Sequence, residues 1–190
     1  MLLLLGGCAS EMTAEVSRSK TAEMPAMRWD HRPEASSWTA ATLAAVQDHG
    51  VALVQTVPEG IEEFCPDYAN SSTRERAAFW AGLLSALSKH ESTWRPEASG
   101  GGGKWIGLTQ IDPRTARGYG CDAQTVAELK DGSDNLSCAI RIAAVQVSKD
   151  NVLIAEDGAW RGVARDWAPF RSASKRADMA NWTSQQSYCQ

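Results

Sequence analysis

An apolar stripe that ends in a carboxyl sets the frame for this chain. Ala77, Phe79, Trp80, Leu83, Leu84 and Leu87 recur at helical spacing, and Glu91 follows Leu87 one turn later. Residues four apart share a helix face, so Glu91 prolongs the buried stripe and not the wet one. Charges are rarely buried without a partner, so a Glu here is either a helix end reaching solvent or a group held for its chemistry. Pro96 and the run Gly100-Gly101-Gly102-Gly103 exclude any continuation of the helix. At the other end, Ser72 with Glu75 reads as a capping box. The helix is therefore bounded on both sides, and its last turn meets a glycine-rich loop.

The remaining elements are also helical in period. Ordered sequence begins near Trp29, and Ser36 or Ser37 caps a helix over 38–48 that His49-Gly50 ends. Residues 51–57 are short, apolar and β-branched, as a strand would be, until Pro58 and Gly60 break them. Asp112-Pro113 forms a turn leading to a short helix over 114–118. The turn 131–134 opens a helix whose face is Leu136, Ile140, Ala143, Ala144 and Val147. Trp160, Val163, Ala164 and Trp167 give 158–167 a helical stripe ended by Pro169, and 178–182 forms a last short helix. The expected fold is mainly α, with at most a small β-ribbon near the glycine run. Residues 29–64 have too few apolar side chains for a core of their own, so they pack as an extension on a domain over 65–190.

Composition narrows the function. The 190 residues carry a net charge of only −4, which leaves no basic footprint for nucleic acid. An anionic polymer would gain nothing from long-range attraction, so recognition belongs to a local cleft. Planar tryptophan faces suit sugar rings, and the chain has 8 Trp, although most Trp in small domains are core. At the start, Leu5-Gly6-Gly7-Cys8 after an apolar run resembles a lipoprotein signal over 1–8, with Cys8 as the lipidated residue. The run is shorter than a normal signal core and has no Lys or Arg before it, as if the start codon lay upstream. Residues 9–28, rich in Ser, Thr, Glu, Lys and Met, read as a tether. No other apolar run is long enough to span a bilayer, which makes the lipid the only membrane attachment expected.

Cys65, Cys121, Cys138 and Cys189 remain, an even number behind an export signal, and thus two disulfides are expected. Three pairings satisfy that count. Cys121 and Cys138 flank one connector and Cys65 and Cys189 bracket the domain, which favours those two pairs. With no C-x-x-C and 3 His, a zinc site is not expected, nor is any other metal or cofactor.

The order of motifs completes the reading. Glu91, Ser92, Trp94 and Pro96, then Gly107, Leu108, Gln110, Ile111, Pro113, Thr115 and Ala116, stand in the order of the E-S-x-aromatic-x-P and G-L-x-Q-[I/L]-x-P-x-T-A blocks. In this the chain resembles the lytic transglycosylases, specifically the SLT-type catalytic domain of the lysozyme-like superfamily. Asn135-Leu136 matches the Asn-Leu/Ile pair that opens a later helix in that family. The resemblance implies cleavage of the β-1,4 bond between N-acetylmuramic acid and N-acetylglucosamine in peptidoglycan, with a 1,6-anhydro product. It implies Glu91 as the single acid and base, Ser92 orienting its carboxyl, and Gln110 binding sugar from the opposite wall. Gly107 and Leu108 would bring backbone close to the cleft.

One family motif, Ala-Tyr-Asn-x-Gly, is missing. Trp167 and Tyr119 are the candidates for its aromatic wall. Asp112 and Asp122 read as turn residues and are the fallback for a second carboxylate. Two other readings stand beside this one: a lysozyme-type hydrolase on the same fold, and a peptidoglycan-binding envelope lipoprotein with a degenerate site. The implied location is the periplasmic side of the envelope, at the outer membrane.

Overall fold

The computed structural model describes residues 24–190, so the signal at 1–8 with Cys8, and most of the tether at 9–28, lie outside the described residues. The end of the proposed tether is already packed. Met27 is buried, and Arg28 pairs with Asp178 through two hydrogen bonds of 2.7 and 2.9 Å.

The described chain holds seven α-helices and two short antiparallel ribbons. At the centre lies α3 (Thr73–Glu91), buried without interruption from Ala77 to Ser88. A helix apolar on every side must be surrounded, and α1 (Ala35–Asp48), α2 (Val51–Gln55), α6 (Gly132–Asp150) and α7 (Ala173–Thr183) supply the neighbours. The capping box at its start is formed in both directions, Ser72 Oγ accepting from Glu75 N and Glu75 Oε2 accepting from Ser72 N.

Four expectations need correction. α1 starts at Ala35, with Ser36 and Ser37 inside it and no side-chain cap at Glu34. Residues 51–55 form a helix and not a strand, because Leu53 and Val54 turn inward between α3 and α6 and the Leu53 carbonyl is taken by the Tyr68 hydroxyl. Local β-propensity yields to packing there. The stretch 158–167 is not helical: β3 (Ile154–Glu156) pairs with β4 (Trp160–Gly162) as a hairpin, followed by a 3₁₀ turn over Val163–Arg165. Gly162 decides this, since its φ is +58° and an added Cβ would lie 2.1 Å from the Leu153 carbonyl oxygen. Sheet is therefore not confined to the ribbon near the glycine run.

That first ribbon is present. β1 (Ser99–Gly100) pairs with β2 (Trp105–Ile106), and Gly101, Gly102 and Gly103 turn between them with φ of 56°, 68° and 93°. After it come α4 (Pro113–Gly118), capped by the Asp112 carboxylate, and α5 (Val126–Leu129). Both favoured disulfides are formed, Cys65–Cys189 and Cys121–Cys138, with Cα separations of 4.7 and 5.2 Å.

Candidate active site

Glu91 is the last residue of α3, and its carboxyl is largely withdrawn from water. No described side chain hydrogen-bonds it. Burial in an apolar surround disfavours the charged form and raises its pKa from 4.5 to about 7, against a smaller opposing effect of the Lys175 ammonium. Its helical neighbours behave differently. His90 Nε2 and Lys89 Nζ reach the Asp178 carboxylate at 2.7 and 3.0 Å, where Arg28 also binds. Asp178 is held well below the usual carboxylate range, first by Arg28, and it locks the end of α3 to α7 and to the N-terminal segment.

Ser92 does not orient Glu91. It is the C-cap of α3, buried, and its hydroxyl donates to the Leu108 carbonyl at 2.9 Å. Successive helical residues point about 100° apart, so the serine faces the Gly107–Gln110 loop while the glutamate faces elsewhere. Ser92 thus joins the two sequence blocks. Leu108 itself is fully buried, with its carbonyl used by Ser92. Gly107 allows a close approach of another kind from the one expected: with φ +82°, its missing Cβ would lie 2.2 Å from both Asn135 Nδ2 and the Leu129 carbonyl. Asn135 is the peg under this loop. Its Nδ2 donates to Ile106 O and Leu129 O, and its Oδ1 accepts from Thr109 N and Thr109 Oγ1.

Gln110 sits on the loop in a left-handed conformation, φ 53°. Thr93 and Trp94, both at φ 53°, follow Glu91 in the same conformation. Such residues persist only where their surroundings hold them. Trp94 is held by its indole N–H on the Ser85 carbonyl at 2.9 Å and by a T-shaped contact with the His31 ring, centroids 4.6 Å apart. Gln110 Nε2 donates to Gly107 O and Ala98 O, and its amide oxygen has no hydrogen-bond partner among the described residues.

Beside Gln110 a pocket opens between the first ribbon, α4 and the chain after β4, with Ile111, Asp112, Thr115, Ile142 and Trp167 on its walls. Trp167 is a buried wall whose indole N–H donates to Thr109 O at 3.0 Å. The Tyr119 hydroxyl is already committed, donating to Asp166 Oδ2 at 3.1 Å and accepting from Gln146 Nε2. Gln146 also donates to Asp166 Oδ2 at 2.7 Å. The desolvated Tyr119 phenol is pushed up to about 12, with Asp166 adding to the effect. Of the fallback carboxylates, Asp112 lines this pocket but is spent capping α4 and binding Arg114, whereas Asp122 lies in a different depression beside α1. Sequence reasoning did not find Asp166, Gln146 or Asp178, because their partners are distant in the chain and no local period marks them.

The chain carries an SLT-type, lysozyme-like domain: the model of the family described as Transglycosylase SLT domain matches residues 69–152. The fold agrees with solved structures of Bd0314 DslA. Two are glutamate-to-glutamine mutants, with TM-scores of 0.81 and 0.78 at 28% and 27% identity. The wild-type form 2 gives 0.79 at 28%. Each alignment covers 89% of this chain and 100% of the other. No curated protein matches. The family and these structures together support a lytic-transglycosylase-type activity on peptidoglycan, at the cell envelope.

Proposed function

We propose that the protein cleaves the β-1,4 bond between N-acetylmuramic acid and N-acetylglucosamine with Glu91 as its one acid and base, leaving a 1,6-anhydro-muramoyl end. The observation that carries this reading is the Glu91 carboxyl at the end of α3, largely withdrawn from water and without a hydrogen-bond partner among the described residues. Burial raises its pKa to about 7. Such a group remains protonated close to neutral pH and can give its proton to the leaving glycosidic oxygen. The resulting carboxylate then takes the proton of the C6 hydroxyl of the same muramoyl residue. That hydroxyl closes on C1, helped by proximity over bulk water. Gln110 would accept a sugar hydroxyl or amide N–H through its free amide oxygen. No metal or cofactor is called for.

Hydrolysis on the same fold needs a carboxylate that activates water across the sugar. Asp112 is a poor base for that purpose, since Arg114 and its capping bond hold its pKa below normal. A scaffold with a degenerate site is disfavoured by the cost of keeping a desolvated carboxyl. As part of the same reading, Cys8 carries lipid and tethers the domain to the outer membrane, facing the periplasm.

Mass spectrometry of muropeptides after digestion of purified glycan tests the reaction. The expected products end in 1,6-anhydro-N-acetylmuramic acid, one water lighter than reducing ends, and Glu91→Gln yields none. Mainly reducing ends would establish hydrolysis, and an active Glu91→Gln variant would remove Glu91 from the mechanism.

A further inference from the structure

Among the described residues, Trp105 is the one large aromatic side chain left exposed. It stands on β2 with 45% of its surface exposed, at the mouth of the pocket that holds Gln110. Its placement is built and not incidental. The six-membered ring lies so close to the glycine turn that a Cβ on Gly101 would meet it at 2.5 Å. Gly101 therefore serves the ring as well as the turn. The exposed Lys104 ammonium lies 5.3 Å from the ring centre. An indole left this exposed favours a ligand that presents an apolar face.

Asp166 lines the same pocket. One of its carboxylate oxygens, Oδ2, is fixed by the Tyr119 hydroxyl and the Gln146 amide, while Oδ1 has no partner among the described residues. A flat apolar platform with a fixed hydrogen-bond acceptor beside it matches the two faces of a pyranose: axial C–H groups for stacking and equatorial O–H or N–H groups for donation. Asp112 adds no free negative charge, being paired with Arg114.

We propose that Trp105 and Asp166 form a sugar subsite, Trp105 stacking on the ring of an amino sugar and Asp166 Oδ1 accepting one of its hydrogen bonds. The inference deepens the peptidoglycan reading and rests on it. It also gives this chain a replacement for the missing Ala-Tyr-Asn-x-Gly wall: the aromatic comes from the ribbon and the acceptor from the chain after β4. Neither residue delivers a proton; both hold glycan.

The test uses binding, so that chemistry cannot confuse it. The Glu91→Gln chain is titrated by calorimetry with purified, uncrosslinked peptidoglycan glycan and with N-acetylchitotetraose. Adding Trp105→Ala is expected to weaken binding by about tenfold or more, with most of the loss restored in Trp105→Phe. Adding Asp166→Asn keeps an acceptor oxygen and is expected to cost less than Asp166→Ala. In the active background, Trp105→Ala is expected to raise KM far more than it lowers kcat. Far-ultraviolet circular dichroism checks that each variant is folded. Glycan binding unchanged by Trp105→Ala and Asp166→Ala would overturn the subsite and leave the cleavage reading intact. No binding of either glycan by the Glu91→Gln chain would overturn both.

Discussion

Glu91 shows what a single side chain gives up for chemistry. Its pKa is raised from 4.5 to about 7 by burial, so the folded state prefers the proton that the unfolded state has lost. A raised folded pKa contributes stability fully below the unfolded value and loses it as pH rises through the folded one. The difference corresponds to roughly 3 kcal/mol at pH 8. Glu91→Gln is therefore expected to be more stable than the parent at pH 8 by up to that amount, and to lose the advantage near pH 4.5. Urea unfolding at the two pH values measures it; equal stability at both would contradict the desolvated carboxyl. The same titration predicts that kcat/KM falls as pH rises through about 7, because the acid must start protonated.

At the scale of elements, the cleft depends on one buried amide. Asn135, from the first turn of α6, holds the Ile106–Thr109 segment through three hydrogen bonds, two with its backbone and one from the Thr109 hydroxyl, and α5 through a fourth. Asn135→Ala leaves those buried groups without partners and is expected to cost about 3 kcal/mol or more. Urea unfolding gives the stability, and the muropeptide assay should fall with it even where the variant remains folded, because Gln110 rides on this loop. The end of α3 is fixed by ions instead. Asp178 gathers Arg28, Lys89 and His90 and ties three segments together behind Glu91.

Across the whole molecule, the Cys65–Cys189 disulfide joins the start of the domain to its last residues over a separation of 124. In the chain-entropy model, closing so long a loop contributes about 4–5 kcal/mol. Replacing both cysteines by serine is expected to lower the unfolding free energy by about that much, against about 3 kcal/mol for Cys121 and Cys138. Thiol titration of unfolded, unreduced protein should find none of these four cysteines reactive; two or more reactive thiols per chain would refute the pairing. The described residues before α1 are packed on the same core. Arg28 N–H donates to Ser85 Oγ in the middle of α3 at 3.0 Å, so the segment before α1 is part of the domain and not a spacer.

The central helix, its capping box, the glycine turn and the position of Glu91 were legible from sequence because each rests on local rules: a 3.6-residue period, a cap three residues away, a backbone region that favours glycine. Position along the chain favoured one pairing of the four cysteines but left three open, and the fold decided between them. Local rules failed where two structures share one pattern. Residues 51–55 read as strand and are helix, because this turn of helix packs against both α3 and α6 and buries Leu53 and Val54. The Trp160-to-Trp167 stripe is helical in spacing, yet Gly162 sits against the carbonyls of Val152 and Leu153 and makes a hairpin of it. The roles inside the site were decided by tertiary contact alone. Ser92 turned from Glu91 to Leu108, and Tyr119 from the cleft to Asp166. A motif lists which residues meet at a site, but a hydroxyl bonds whichever acceptor the packed chain brings within 3 Å, and only the fold determines that acceptor.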